Sequence, residues 1–208
     1  MVQNNSLNNV SPTFNPSALT VNSVYTFPTS DGTAGQVLET DGAGAVTWEA
    51  DTSVEYLIQT ASANTTSRIT CATLFPLDDT IPQNTEGDEV ITVSITPTNS
   101  TNVLVIQFIS NFALATATAT GLVALFQDST ANALSAAYGA TVFNTNYNAP
   151  FVLTHVMDAG TTSSTTFKIR AGSHNDAKTV YVNGTSTTRF FGGTAQARIT
   201  VFEYKAGA

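Results

Sequence analysis

From residue 54 to the C-terminus, short runs rich in Val, Ile, Thr and Phe follow one another, and polar clusters cut each one off. The runs are "VEYLIQT" 54–60, "SRITCATL" 67–74, "EVITVSITP" 89–97, "NVLVIQFISNFAL" 102–114, "GLVALFQD" 121–128, "PFVLTHVMD" 150–158, "TTFKIRAG" 165–172, "KTVYVNG" 178–184 and "QARITVFEY" 196–204. Between them lie turn-forming stretches such as "PTNSTN", "QDSTAN", "DAGTTSS" and "GSHNDA", whose Asn, Asp, Gly and Ser tolerate the backbone angles of tight reversals. Several runs alternate with the period of two that a half-buried strand demands: Val180 with Val182, and Ile199 with Val201 and Glu203, share one face. "ALATATATG", 113–121, alternates Ala and Thr and reads as a strand with small side chains on one face. A helix is conceivable only at "ANALSAAYGA", 131–140. Eight to ten strands with turns at this spacing predict an all-β fold, an antiparallel β-sandwich. The strong last run places the final strand inside a sheet rather than at its margin.

The first quarter of the chain has a different texture. Residues 1–30 are rich in Asn, Ser, Thr and Pro with scattered hydrophobes, and Pro12, Pro16 and Pro28 break any regular element. This reads as an extended arm that docks on another protein. Residues 31–53 contain "QVLET" and "AVTWE" on either side of "DGAG", a hairpin in which Asp41-Gly42 supplies the turn. Too few apolar side chains are present to offset the conformational entropy lost on ordering these fifty residues. The arm and hairpin therefore call for a covering surface. Leu38, Val46 and Trp48 are the residues expected to form an oligomer clasp, meeting their counterparts near a symmetry axis. Residues 54–208 form the sandwich domain.

Only 11% of the residues are charged, against roughly 25% in ordinary globular proteins, which suits a protein that lives in an assembly. The net charge is −8, and no three of Arg68, Lys168, Arg170, Lys178, Arg189, Arg198 and Lys205 lie together. Nucleic acid is excluded as a partner on that ground. No apolar run approaches the ~20 residues that cross a bilayer, and the N-terminal stretch has no secretory pattern, so neither membrane insertion nor signal-directed export is expected.

Little points to catalysis. Cys71, the one cysteine, sits in a strand-like run with no base nearby and reads as a buried structural thiol. His155 shares a strand face with Leu153 and Met157 and reads as a packed histidine, while His174 falls in a polar loop and reads as solvated. Their spacing to Asp158 or Asp176 fits neither a nucleophilic triad nor zinc. Asp78, Asp79, Glu86, Asp88 and Glu89 could supply oxygens to Ca²⁺, but they match no EF-hand loop and read as solvated loop carboxylates. The expectation is a non-enzyme with no cofactor, no metal and no catalytic residues.

"YTFPTSDGTAGQVLETDGAGAVTW", residues 25–48, resembles a glycine-turn element of bacteriophage tail fibres and other virion proteins. "DDTIPQNTEGDEVITVSITPTNSTNVLVIQF", 78–108, "GLVALFQD", "TTSSTTFKIRAG" and the stretch from "VYVNG" to "ARITVFEY" resemble, in order, the C-terminal sandwich of such proteins. The resemblance implies a jelly-roll-like head similar to the C1q/TNF type, a homotrimer, and a place on the surface of a phage particle. Its arm would attach it to capsid or tail proteins, as a short fibre or host-attachment protein or as a capsid decoration protein. An adhesin head would bind a host surface glycan, with Tyr138, Phe143, Tyr147 and Phe151 as receptor or interface candidates. A glycan-degrading tailspike-like enzyme and a cellular C1q-like binding module are the rival readings.

Overall fold

The computed structural model describes residues 20–21, 25–51, 56–114, 119–139, 148–174 and 178–206. The chain divides into two compact units, Met1–Val54 with Gly207–Ala208, and Glu55–Ala206.

In the first unit, β1 (Thr20–Val21) pairs antiparallel with β2 (Tyr25–Thr26), and β3 (Gln36–Thr40) pairs with β4 (Val46–Ala50). The reversal between β3 and β4 is made by Gly42 and Gly44, at φ 74° and 102°. Asp41 pins it by accepting from the backbone N–H groups of Ala43 and Ala45 at 2.8 and 3.0 Å. An aspartate followed by glycine thus sets the turn.

The second unit is an antiparallel β-sandwich. Its strands are β5 (Leu57–Thr65), β6 (Ile69–Cys71), β7 (Asp88–Ile95), β8 (Val103–Leu114), β9 (Gly121–Gln127), β10 (Ser135–Tyr138), β11 (Asn148–Asp158), β12 (Thr165–Ser173), β13 (Val180–Val182) and β14 (Ala197–Tyr204). One sheet has four strands in the order β10-β9-β12-β7. The other has six. The long β8 is its spine: β11 pairs along one edge, and β14 then β13 pair along the other, with β5 beyond β14 and β6 beyond β13. The C-terminal strand lies between β5 and β8, well inside the sheet, as the sequence predicts. Among the described residues one 3₁₀ turn, Phe190–Gly193, interrupts the strands.

Alternation explains the core. Leu104, Ile106 and Phe108 of β8, Ile199 and Val201 of β14, and Phe167 and Ile169 of β12 point inward, while the residues between them face outward. β9 departs from alternation: Leu122 to Phe126 is an unbroken apolar run, buried on both faces. Val123 and Leu125 join the main core, whereas Leu122, Ala124 and Phe126 pack under Phe75 in a second cluster. The segment carrying Phe75 is drawn over the four-stranded sheet by Phe75 N–H, which donates to Ser173 O at 2.9 Å. Gly87, at φ 61°, makes room for it, since a Cβ there would stand 2.6 Å from the Phe75 ring. Residues 135–138, inside the stretch where a helix was conceivable, form a strand because pairing with β9 covers Leu134 and Ala137. The Ala-Thr run expected over 113–121 falls partly outside the described residues.

Candidate functional site

Among the described residues, Cys71, Asp88, His174 and Glu203 are structurally engaged. Cys71 is fully buried on β6 beside Val180. Burial, with the Asp88 charge adding to it and the Arg170 charge partly offsetting it, pushes its thiol pKa up to about 12. A thiol held neutral is no nucleophile. In the native protein at pH 8 it should fail to react with an aromatic disulfide reagent, and in denaturant it should react fully; fast native labelling would contradict the burial.

Asp88 is a latch. Its carboxylate accepts from Ala72 N–H, Thr73 N–H and Thr73 Oγ1–H at 2.7, 2.9 and 2.7 Å, fixing the start of the Phe75 segment. Burial raises its pKa, but these bonds and the Arg170 charge outweigh burial and leave it below the usual carboxylate value. Arg170 in turn donates to the carbonyls of Glu86 and Gly87 at 2.8 and 2.6 Å. The acidic residues of this region thus organise loops: Glu86 accepts from Gln83 N–H, and Asp78 from Thr80 N–H, both at 2.9 Å. Among the described residues no three His, Cys, Asp or Glu side chains gather to hold a metal ion.

His155 is half-buried on the Leu153 face of β11. His174 is not simply solvated, as expected from its loop: its Nδ1 accepts from Thr120 N–H at 3.0 Å, and its own N–H donates to Thr120 O. Neither histidine is set against a nucleophile.

Glu203 was legible only as an inward position on the last strand. It is fully buried and accepts four hydrogen bonds, from Gln59 Nε2, Asn102 Nδ2, Thr98 N–H and Thr98 Oγ1 at 2.5, 2.6, 2.8 and 2.8 Å. Burial alone raises its pKa; the bonds from Asn102, Gln59 and Thr98 together overcome this and lower it to about 2. The carboxylate ties β14 to β5 and to the turn before β8.

The predicted clasp residues occupy one hairpin. Leu38 lies opposite Trp48 across β3 and β4, Val46 is buried and Leu38 is exposed. Trp48 is held by its own chain: its ring covers Gly32, and its Nε1–H donates to Ser30 O at 2.9 Å. Of the receptor candidates, Tyr138 is 71% exposed on β10. Phe151 is corrected to the core: it is 2% exposed and stacks on Phe112, ring centroids 3.7 Å apart. Phe143 and Tyr147 lie outside the described residues.

What the sequence did not single out is the outward face of the six-stranded sheet. Cross-strand register sets two apolar rows there: Ile109 beside Val152, and Phe202, Val105 and Val156 side by side. A polar row of Ser62, Thr200, Gln107 and Thr154 runs between them. Ile109, Val152 and Val156 are 55–59% exposed. A groove of about 490 Å³ opens across the face, with Arg198 as its only charged lining residue.

This architecture has a family. Residues 60–208 match the family described as the Pgp3 C-terminal domain. The chain belongs to that family. No curated protein sequence matches it. The Pgp3 C-terminal domain match covers the sandwich from within β5 to the last strand and overturns the resemblance to bacteriophage tail fibres. With it go the phage particle as location and the fibre, capsid-decoration and tailspike roles, which that resemblance alone implied. The antiparallel β-sandwich itself stands.

Proposed function

We propose that this Pgp3 C-terminal domain protein acts by binding and assembly rather than by catalysis, as one subunit of a homotrimer. The observation that carries the reading is the outward face of the six-stranded sheet. Its apolar rows expose valine and isoleucine in a groove where Arg198 is the only charge, on a chain of net charge −8. Copies that repel one another elsewhere can meet on such a face. Val152 and Val156 stand on β11, which pairs with β8 alone and so borders the sheet. If that border meets a different side of the next subunit, the contact is heterologous. Heterologous contacts close into rings, and three copies make the smallest such ring. The hairpin, with Leu38 exposed, adds a second apolar surface for association.

Light scattering on the purified chain should give three times the 21.8 kDa of one chain. Val152→Asp with Val156→Asp should reduce it to a single chain, because two buried, unpaired carboxylates oppose the contact. A wild-type mass of one chain throughout a dilution series would refute the reading.

A further inference from the structure

One loop of the sandwich is built to hold an apolar side chain in water. Between β13 and β14, Phe191 is 81% exposed at φ 49°, followed by Gly192 at 63° and Gly193 at 93°. A bulky aromatic residue in the left-handed region is strained, and the surroundings enforce it. Phe191 O accepts from Thr194 N–H and Thr194 Oγ1–H at 3.1 and 2.9 Å. Phe190 N–H donates to Asn183 O at 3.0 Å, and Gly184 bridges to Arg189. The base is anchored by Asn183 Nδ2, which donates to Thr65 O and Ser67 O. Arg189 lies against Gly193 and donates to Gly192 O. The tip is therefore a preformed knob of phenylalanine and arginine. Its charge stands out: residues 179–202 contain Arg189 and Arg198 and no carboxylate.

The complementary feature is on the other sheet. An open depression of about 350 Å³ between β10 and the Phe75 segment is lined by Ile81, Pro82, Ala133 and Ala136, with the hydroxyls of Thr80 and Ser135, and rimmed by Asp78 and Asp79. From Arg68 to Lys168 the chain has no intervening lysine or arginine. The socket thus combines an apolar patch with two hydroxyls and an acidic rim, has no cation of its own segment, and sits on the opposite sheet from the knob.

We propose that the Phe191 knob of one copy seats in the Ile81 socket of a second copy, with Arg189 meeting Asp78 and Asp79. A rigid aromatic anchor loses little freedom on binding, and aromatic and arginine side chains are the residue types that dominate interface energetics. This contact is separate from the β11 face, so knob–socket pairing would link one assembled unit to the next.

Sedimentation velocity of the full chain over a concentration series tests it. Growth beyond the smallest assembly is expected as concentration rises, and it should diminish as salt screens the Arg–Asp contact. Phe191→Asn keeps the backbone, because asparagine tolerates the left-handed region, and removes the anchor; it should weaken growth at least about thirtyfold in concentration. Arg189→Glu alone and Asp79→Lys alone should each weaken it, and an equimolar mixture of the two single variants should regain it through the reversed pair. The Val152→Asp, Val156→Asp chain should still grow with concentration, from a smaller starting unit. Wild-type sedimentation independent of concentration, or growth unaltered by Phe191→Asn, overturns the proposal.

Discussion

Phe151→Ala is expected to lower the stability of the sandwich by about 3–5 kcal/mol, the range for an aromatic side chain deleted from a packed core. Phe151 is 2% exposed and its ring lies flat on that of Phe112, 13° from parallel, so the variant loses the aromatic contact as well as the burial. Relaxation cannot easily close the void. Gly121 is already against both rings, since a Cβ there would stand 2.7 Å from Phe112 Cε2 and 2.9 Å from Phe151 Cζ. The backbone has thus approached as far as a glycine permits. The urea midpoint should fall while the slope of the transition stays fixed. Tyr138→Ala, at a side chain 71% exposed, should change stability by no more than about 0.5 kcal/mol. Equal effects at the two positions would mean that β11 is not packed against β8 as described.

Phe151 also illustrates what a sequence withholds. In "APFVLTHVMD" both alternating sets are apolar, Phe151 and Leu153 in one and Val152 and Val156 in the other. Period two shows that the two sets face opposite ways, but not which one faces the core. Phe112 decides it, from a strand some forty residues away in sequence. The outward apolar face escaped reading for the same reason. It is assembled by register among β5, β14, β8 and β11, and no single strand displays it. β7 and β12 were legible because their outward positions are hydroxyls or charges, and β14 because Ile199 and Val201 alternate with Arg198 and Thr200. β5 was misplaced toward its apolar start, because its second half, "TASANT", turns only alanines inward.

The opening hairpin misled for a different physical reason. Asp-Gly turns between short strands answer a geometric need that any tight reversal shares. A match on such an element therefore says more about turn chemistry than about ancestry. The family match begins at residue 60, beyond the hairpin, and rests on the sandwich. The knob at Phe191 carried a readable signal, two glycines directly after two phenylalanines. Its meaning depended on the backbone angles and on 81% exposure, which no local pattern supplies.

Glu203 makes the fold acid-sensitive in a defined window. Its ordinary value is 4.5 and its value in the fold about 2, so the folded state favours the ionised form. The resulting stabilisation is complete above pH 4.5 and drains away as pH falls toward 2. A shift of this size corresponds to a contribution on the order of 3 kcal/mol at neutral pH. Glu203→Gln should remove it. Gln59 Nε2 already donates to Thr96 O at 2.8 Å as well as to the Glu203 carboxylate, and Asn102 and Thr98 donate to the other oxygen. A glutamine offers one oxygen and one NH₂ group, so at least one buried donor then faces a donor, at a cost of about 1–3 kcal/mol. Flipping the Gln59 amide does not help, because its oxygen would then oppose Thr96 O. Denaturation curves at pH 7, 4 and 3 should show the variant less stable than wild type by about 3 kcal/mol at pH 7, with the gap narrowing as the wild-type carboxylate is protonated. If the two curves run parallel over that range, the carboxylate is not what draws β14, β5 and the turn before β8 together.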